Sequence, residues 1–390
     1  MTAALPIAKV EALALSASFD DLYDSPDDVP AWLRYPASSH RVLPRRGQYA
    51  TIVKVHAEDG TVGVGECYGL PSPEVTATVV STVLTPLLLG QDALATTAVW
   101  ERLYRGQAAG GHNRGFYLEA MAGIDLALWD LRGKLAAQPV HRLLGGPVRD
   151  RIDCYASPVA LHDDPGASAA QAVGFVEQGF RALKVKIGRG LRTDREHLTA
   201  VRAAVGQDVE VLTDVNCAYD LDEATRVGRL LRDLDISWFE EPLQVDDLAN
   251  LAELRRRTGL TIVNGETHFT RFDLRDSVVH KAIDVFMPNV ARCGGLTEAT
   301  RVSALASAFH LDIAPHGVGS GVSLAAALQL CAATPNLRTY EYNRLPNPIR
   351  EAILVDPPEF RDGALTVPSG PGLGAELDET VVDRYTVARF

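Results

Sequence analysis

Two hydrophobic rhythms divide the chain near residue 150. Before that point, residues 7–18 form a strand-like apolar stretch, and a polar, proline-bearing loop follows over 20–47. TIVKVHAEDG and TVGVGE then read as two strands joined at Asp59-Gly60, a dipeptide suited to the positive φ angles of a tight hairpin. Helical segments are expected over 73–104. A longer helix is expected over 118–137, where Met121, Ile124, Leu128, Leu131 and Leu135 recur at helical spacing. Three strands followed by helices make residues 1–150 an α+β unit.

From Ile152 the pattern changes to short apolar strands alternating with amphipathic helices. Strands are expected at 152–156, 182–187, 209–216, 238–242, 261–267, 285–289, 312–316 and 339–343. Lys186, Asp214, Glu240, Glu266, Asn289, His316 and Glu341 follow one another at intervals of 23 to 28 residues, one strand and one helix each. Eight strands with crossover helices predict a parallel barrel over 151–345. A doubly wound open sheet has the same alternation. The polar markers favour the barrel, because each stands at or near the C-terminal end of its strand, where barrels gather reactive groups. No strong helix follows residue 343, so the last unit is incomplete. Residues 346–390, with GPGLG at 370–374, are expected to fold back on the first unit.

Composition narrows the function. The 390 residues hold 38 Lys and Arg against 50 Asp and Glu, a net charge of −12, and no basic block stands out. A nucleic-acid partner is not expected. The N-terminal residues lack a cationic leader before an apolar core, and no apolar run approaches the ~20 residues of a membrane span. The five cysteines are odd in number and form no CxxC pair. That pattern fits reduced thiols in a cytoplasm and argues against a cysteine zinc site.

The candidate chemistry lies at the strand ends. Asp214 (VLTDVN), Glu240 (WFEEP) and Glu266 (VNGET) close successive strands. Three converging carboxylates without cation partners would repel and raise one another's pKa. A hard divalent cation removes that repulsion, and Mg²⁺ takes oxygen ligands while keeping positions for water or substrate. Solvent-facing strand-end acids are the plain alternative, but three in successive units make it uneconomical. Strand alternation turns Glu241 to the opposite side, as a supporting residue. Lys184 and Lys186 lie two apart on the preceding strand and face the same way. A second cation nearby would lower a lysine's pKa and make it a usable base. His316, in DIAPHGVGSG, faces the lysine strand from across the barrel, and the glycine-rich run after it offers backbone N–H groups to an anion. Glu341 is a candidate acid or hydrogen-bond donor.

In this order and spacing, the KVK, TDVN, WFEEP, NGE, GG-after-strand and APHG segments resemble the enolase superfamily, and within it the mandelate racemase subgroup. GECYG and EAMAGIDLALWDLRGK extend the resemblance over nearly the whole chain. It implies a modified (β/α)₇β TIM-type barrel with an N-terminal α+β capping domain. It further implies one Mg²⁺ per subunit, homo-oligomers, and abstraction of the proton α to a small-molecule carboxylate. By resemblance Lys186 is the base on one face, assisted by Lys184, and His316 is the acid or base on the other. Asp214, Glu240 and Glu266 are then the metal ligands, and Glu341 is similar to the electrophilic glutamate. Substrate contacts are expected from Asn216, from His40 and Arg45 in the loop near residues 20–49, and from His112 in GGHNRG.

One position departs from the pattern. An aspartate usually partners the histidine, and here the matching segment, VFMPNVARCGG, places Asn289. Asn289 is expected to accept a bond from the Nδ1–H of His316, orienting the ring without supporting an imidazolium. A racemase needs capable bases on both faces. A dehydratase can use Lys186 for the proton and His316 only for the leaving hydroxyl. Dehydration of a sugar acid to a 2-keto-3-deoxy acid is therefore the reading, with a racemase or epimerase as its rival. A cycloisomerase or dipeptide epimerase ranks lower, because such relatives carry a sixth-strand lysine and none occurs over 284–295. A non-catalytic binding protein ranks below these.

Overall fold

The computed structural model of the protein describes residues 4–38 and 44–390. Strand β1 (Ile7–Ser18) pairs antiparallel with β2 (Gly47–Ala57), which pairs with β3 (Val62–Cys67). The β2–β3 hairpin turns at Asp59-Gly60, where Gly60 has φ +88°. The loop before β2 holds short helical turns, Pro26–Asp28 and Ala31–Arg34. Helix Phe116–Leu135 lies across the sheet. A Cβ on Gly65 would stand 2.1 Å from the Gly123 carbonyl oxygen, so glycine permits this close approach. The helix is buried on nearly every face. Its far side meets helix Gly295–Ala308, where Asp125 accepts the Thr297 N–H at 2.8 Å and Trp129 donates to the Thr297 hydroxyl at 2.8 Å.

The alternating region forms β4 (Arg151–Val159), β5 (Ala182–Lys186), β6 (Glu210–Asp214), β7 (Trp238–Glu240), β8 (Thr261–Asn264), β9 (Val285–Phe286), β10 (Asp312–Ile313) and β11 (Tyr340–Asn343). Neighbours pair in parallel in chain order from β4 to β10, and β11 pairs with β4. Ile313 closes the ring by bonding to Asn336 and Arg338 at 2.9 Å each. Sequential order with closure excludes the doubly wound sheet. Tyr155, Leu212, Trp238, Val263, Val285, Met287 and Ala314 form a separate apolar cluster beneath the site.

Six strands end earlier than expected, and three of them end before their polar marker. β8, β9 and β10 stop short of Glu266, Asn289 and His316. Gly265 at φ +140° breaks the extended path. Pro288 and Pro315 lack the N–H a ladder needs. These three site residues therefore stand on loops just past their strands.

The C-terminal segment runs over both units. β12 (Phe360–Arg361) and β13 (Ala364–Thr366) form a hairpin whose second strand pairs antiparallel with β4. Asp130, on the long helix, accepts the N–H groups of both Val64 and Leu373 at 2.8 Å. β14 (Thr386–Arg389) then pairs antiparallel with β1. Among the described residues no helix is long and apolar enough to cross a membrane, and all five cysteines are free thiols.

Candidate active site

Asp214 ends β6, Glu240 ends β7, and Glu266 stands just past β8, and each brings one carboxylate oxygen within 4.8 Å of the others. Asp214 and Glu240 are fully buried. They have the cation partners that the sequence reading left out. Lys184 Nζ lies 2.6 Å from Glu240, 2.9 Å from Glu341 and 3.2 Å from Asp214. Lys186 Nζ lies 2.5 Å from Asp214 and 2.6 Å from Asn216 Oδ1. The two-residue period aims both ammonium groups into the barrel.

Four carboxylates thus face two ammonium groups. The surplus is negative, as a site for a cation requires. Burial and the neighbouring Asp214 push Glu240 well above the usual carboxylate range, the strain a cation relieves. Asp214 goes the other way: burial raises it, but Lys186 and Lys184 outweigh burial and hold it low. The oxygen-only, converging donor set fits Mg²⁺. The lysines differ from expectation. Burial lowers Lys186, and Lys184 lowers it further, yet Asp214 and the other carboxylates outweigh both and the net shift is upward. Lys184 is raised well above its ordinary value, against burial, by Glu240 and Glu341. As the side chains stand, both are ammonium ions.

His316 is 6% exposed and Asn289 is 1% exposed. Asn289 Oδ1 accepts the Ala291 N–H at 2.9 Å, while its Nδ2 donates to the Val318 carbonyl at 3.0 Å. Backbone groups of fixed polarity therefore orient the amide, and Nδ2 is what stands 2.9 Å from His316 Nδ1. The expected direction of this bond is reversed. Nδ1 accepts, so the neutral ring carries its proton on Nε2. Nε2 lies 3.2 Å from Glu266 and 3.7 Å from Glu341.

Glu341 also departs from expectation. Burial raises its pKa, but the charge of Lys184 outweighs burial and, with the Ser157 hydrogen bond, brings it down to about 2. It accepts bonds from Ser157 Oγ at 2.5 Å and Gly317 N–H at 3.1 Å, so it is an ionised acceptor and not the expected acid or donor. The glycine-rich run after His316 is committed internally as well. Gly317 N–H goes to Glu341 and Ser320 N–H to Glu66, which leaves neither for a substrate anion. A Cβ on Gly317 would stand 1.8 Å from the Glu341 carbonyl oxygen, so only glycine brings this loop against β11.

Residues 32–145 match the mandelate racemase / muconate lactonizing enzyme N-terminal domain, and residues 167–381 match the enolase C-terminal domain-like family. The chain belongs to the enolase superfamily. Within it, the mandelate racemase subgroup is the match. The chain is 35% identical to a D-galactarolactone cycloisomerase of Agrobacterium fabrum, over 86% of this chain and 90% of that one. It is 32% identical to an arabinonate dehydratase of Saccharolobus solfataricus, over 85% and 89%. A racemase from Streptomyces coelicolor A3(2), solved with bound magnesium, superposes with a TM-score of 0.87 at 28% identity, over 98% and 100%. The four-stranded sheet with its helices is accordingly the superfamily's capping domain, and β4–β11 its barrel. A cycloisomerase is among these relatives, so the missing sixth-strand lysine does not remove that reading.

Capping domain and barrel meet at a cavity. Its lining includes Lys186, Asn216, Glu266, His316 and Glu341 from the barrel and Arg45 from the cap. His40 lies outside the described residues. His112 does not reach the cavity: it is exposed and tilted against Tyr117. Arg114, two residues on, pairs with Asp273 and holds that loop toward helix Arg271–Val279. A larger cavity, about 1040 Å³, lies between the capping sheet and the C-terminal segment, but none of the converging residues reaches it.

Two residues at the site were not expected, and a third, Glu241, points the other way from expectation. Ser157 bonds Glu341, and Tyr68 of GECYG lines the cavity. Glu241 was expected on the far side of its strand. At φ +38° it leaves the strand alternation, and its carboxylate comes within 3.5 Å of Asn216 Nδ2 and 3.1 Å of Thr267 Oγ1. Burial and Glu266 push it up to about 8.

Proposed function

We propose that the chain is a Mg²⁺-dependent sugar-acid dehydratase that removes the proton α to a carboxylate and eliminates the β-hydroxyl, giving a 2-keto-3-deoxy acid. One observation carries this reading: the Asp214–Glu240–Glu266 cluster lies between Lys186 on one side and His316 on the other. Bound by these three carboxylates, Mg²⁺ would supply positive charge against the charge that builds on the substrate carboxylate. Lys184, ringed by acids and permanently charged, adds to that field.

Asp214 and Asn216 fix the Lys186 nitrogen, which takes the α-proton when unprotonated. The C–H electron pair becomes the new C=C bond, and the β C–O bond breaks with its pair on oxygen. His316 donates a hydrogen bond from Nε2 to that oxygen. Asn289 gives His316 no acceptor with which to support an imidazolium, so Lys186 returns its proton to complete the water, and the enol then tautomerises to the ketone. The test is a panel of stereoisomeric sugar acids assayed for keto-acid formation, with and without chelator. Keto acid that forms only in the presence of divalent metal is the expected result. Turnover that persists in chelator refutes the metal's part.

A second reading, isomerisation of a sugar lactone, is favoured by the cycloisomerase relative. It uses the same proton removal without loss of water. Product mass separates the two, since only dehydration loses 18 Da of water while lactone opening conserves every atom.

A further inference from the structure

Arg45 stands on the capping-domain wall of the cavity with Pro36, Ala37, Tyr68 and Leu70. Its guanidinium is built in place. Nε donates to the Gly47 carbonyl at 3.1 Å and Nη2 to Gln48 Oε1 at 2.5 Å. Gln48 is 2% exposed and donates in turn to the Pro346 carbonyl at 2.6 Å, so the clamp spans cap and C-terminal segment. Two of five guanidinium N–H groups are used by these bonds.

The charge has no counterpart. Among the described residues no carboxylate lies within ion-pair distance of Arg45, and residues 1–3 and 39–43 contain no Asp or Glu. The nearby cation Arg350 worsens the imbalance, its acidic partner among the described residues being the mostly exposed Glu351. Burial and Arg350 lower the pKa of Arg45, while Tyr68 and Tyr49 oppose that shift. Tyr68, pushed up to about 12 by burial, keeps its hydroxyl proton. A half-buried, unneutralised guanidinium is costly, and a carboxylate placed against its fork is the group that relieves the cost. A substrate hydroxyl needs no charge to recognise it. By the chemistry proposed above, the reactive carboxylate would be engaged at the barrel wall, where Lys186 and Glu266 stand.

We infer that Arg45, with the Tyr68 hydroxyl beside it, receives a second carboxylate at the far end of the substrate, so that the substrate class is a sugar diacid or its monolactone and not an aldonic acid. This rests on the α-proton chemistry proposed above.

The test uses the Mg²⁺-loaded protein with stereoisomeric six-carbon aldarates and the matching aldonates. α-Proton exchange in D₂O and turnover are both followed. Wild type should favour an aldarate over its matching aldonate by 100-fold or more in kcat/KM. Arg45→Met should raise the aldarate KM about 100-fold with kcat within threefold, and leave the aldonate KM within threefold. Arg45→Lys should recover only part of the loss, because it lacks the fork. Equal use of both acid classes, or equal losses on both in Arg45→Met, overturns the assignment while leaving the α-proton chemistry standing. No exchange with any acid overturns the chemistry and this inference with it.

Discussion

Asn289 offers His316 a donor where an acceptor would be needed to hold an imidazolium, and the Ala291 N–H and Val318 carbonyl keep it that way. Asn289→Asp turns the contact into an acceptor and makes a protonated ring favourable. The second face of the substrate should then exchange its proton with solvent, which NMR of the recovered acid in D₂O will detect. The same change sets a carboxylate oxygen against the Val318 carbonyl, so stability should fall by about 1–3 kcal/mol in a denaturant titration. An unaltered exchange pattern would count against Asn289 controlling that face. Lys186→Ala should reduce α-proton exchange by at least about 10³-fold with the circular dichroism spectrum unchanged; full exchange would remove Lys186 as the base. Residues on regular strand were legible, because a two-residue period aims Lys184 and Lys186 together. Glu241 was not, since a single positive φ redirects it. The Asn289 polarity depends on two backbone groups that no side-chain pattern reveals.

At the level of elements, the latch between β3 and helix Gly321–Ala333 invites a pH experiment. Glu66 is fully buried and accepts bonds from the Ser320 N–H and hydroxyl and from the Ser323 N–H. Burial pushes its pKa from 4.5 up to about 7, against the lowering effect of those three donors. Asp125, at the other cap–barrel contact, is likewise pushed up to about 7 by burial. A carboxyl raised on folding binds its proton more tightly in the native state. Its contribution is complete below the unfolded pKa and is lost as pH climbs through the folded one. The melting temperature should therefore fall between about pH 5 and pH 8, with Glu66 alone contributing on the order of 3 kcal/mol. The lowered groups Asp214 and Glu341 act only below about pH 4, outside this window. Glu66→Gln should flatten the slope, and an equally steep slope in that variant would show that the latch does not titrate. The existence and order of the barrel strands were readable from periodicity. Their ends were not, because Gly265, Pro288 and Pro315 stop pairing before the polar marker in three of the units.

Across the whole molecule, surplus negative charge at the barrel mouth links metal binding to folding. Mg²⁺ should raise the melting temperature progressively with its concentration, by the mass-action relation for a ligand that binds the native state. Glu240→Gln should abolish most of that rise, while an identical rise in the variant would place the metal elsewhere. The division into cap and barrel was legible from the change of hydrophobic rhythm. The pairing of chain-distant segments was not, because no local pattern says which strand edge a short tail will find.

That pairing has a consequence for how the protein is made. The capping sheet draws β1 from the beginning of the chain and β14 from beyond the barrel, and Leu13 lies opposite Arg389. On a ribosome, β1 emerges long before the strand that covers its edge. The cap is begun first and finished last, around a barrel that can assemble in between. Until β14 arrives, the N-terminal sheet presents an open strand edge, the surface on which nascent chains associate wrongly.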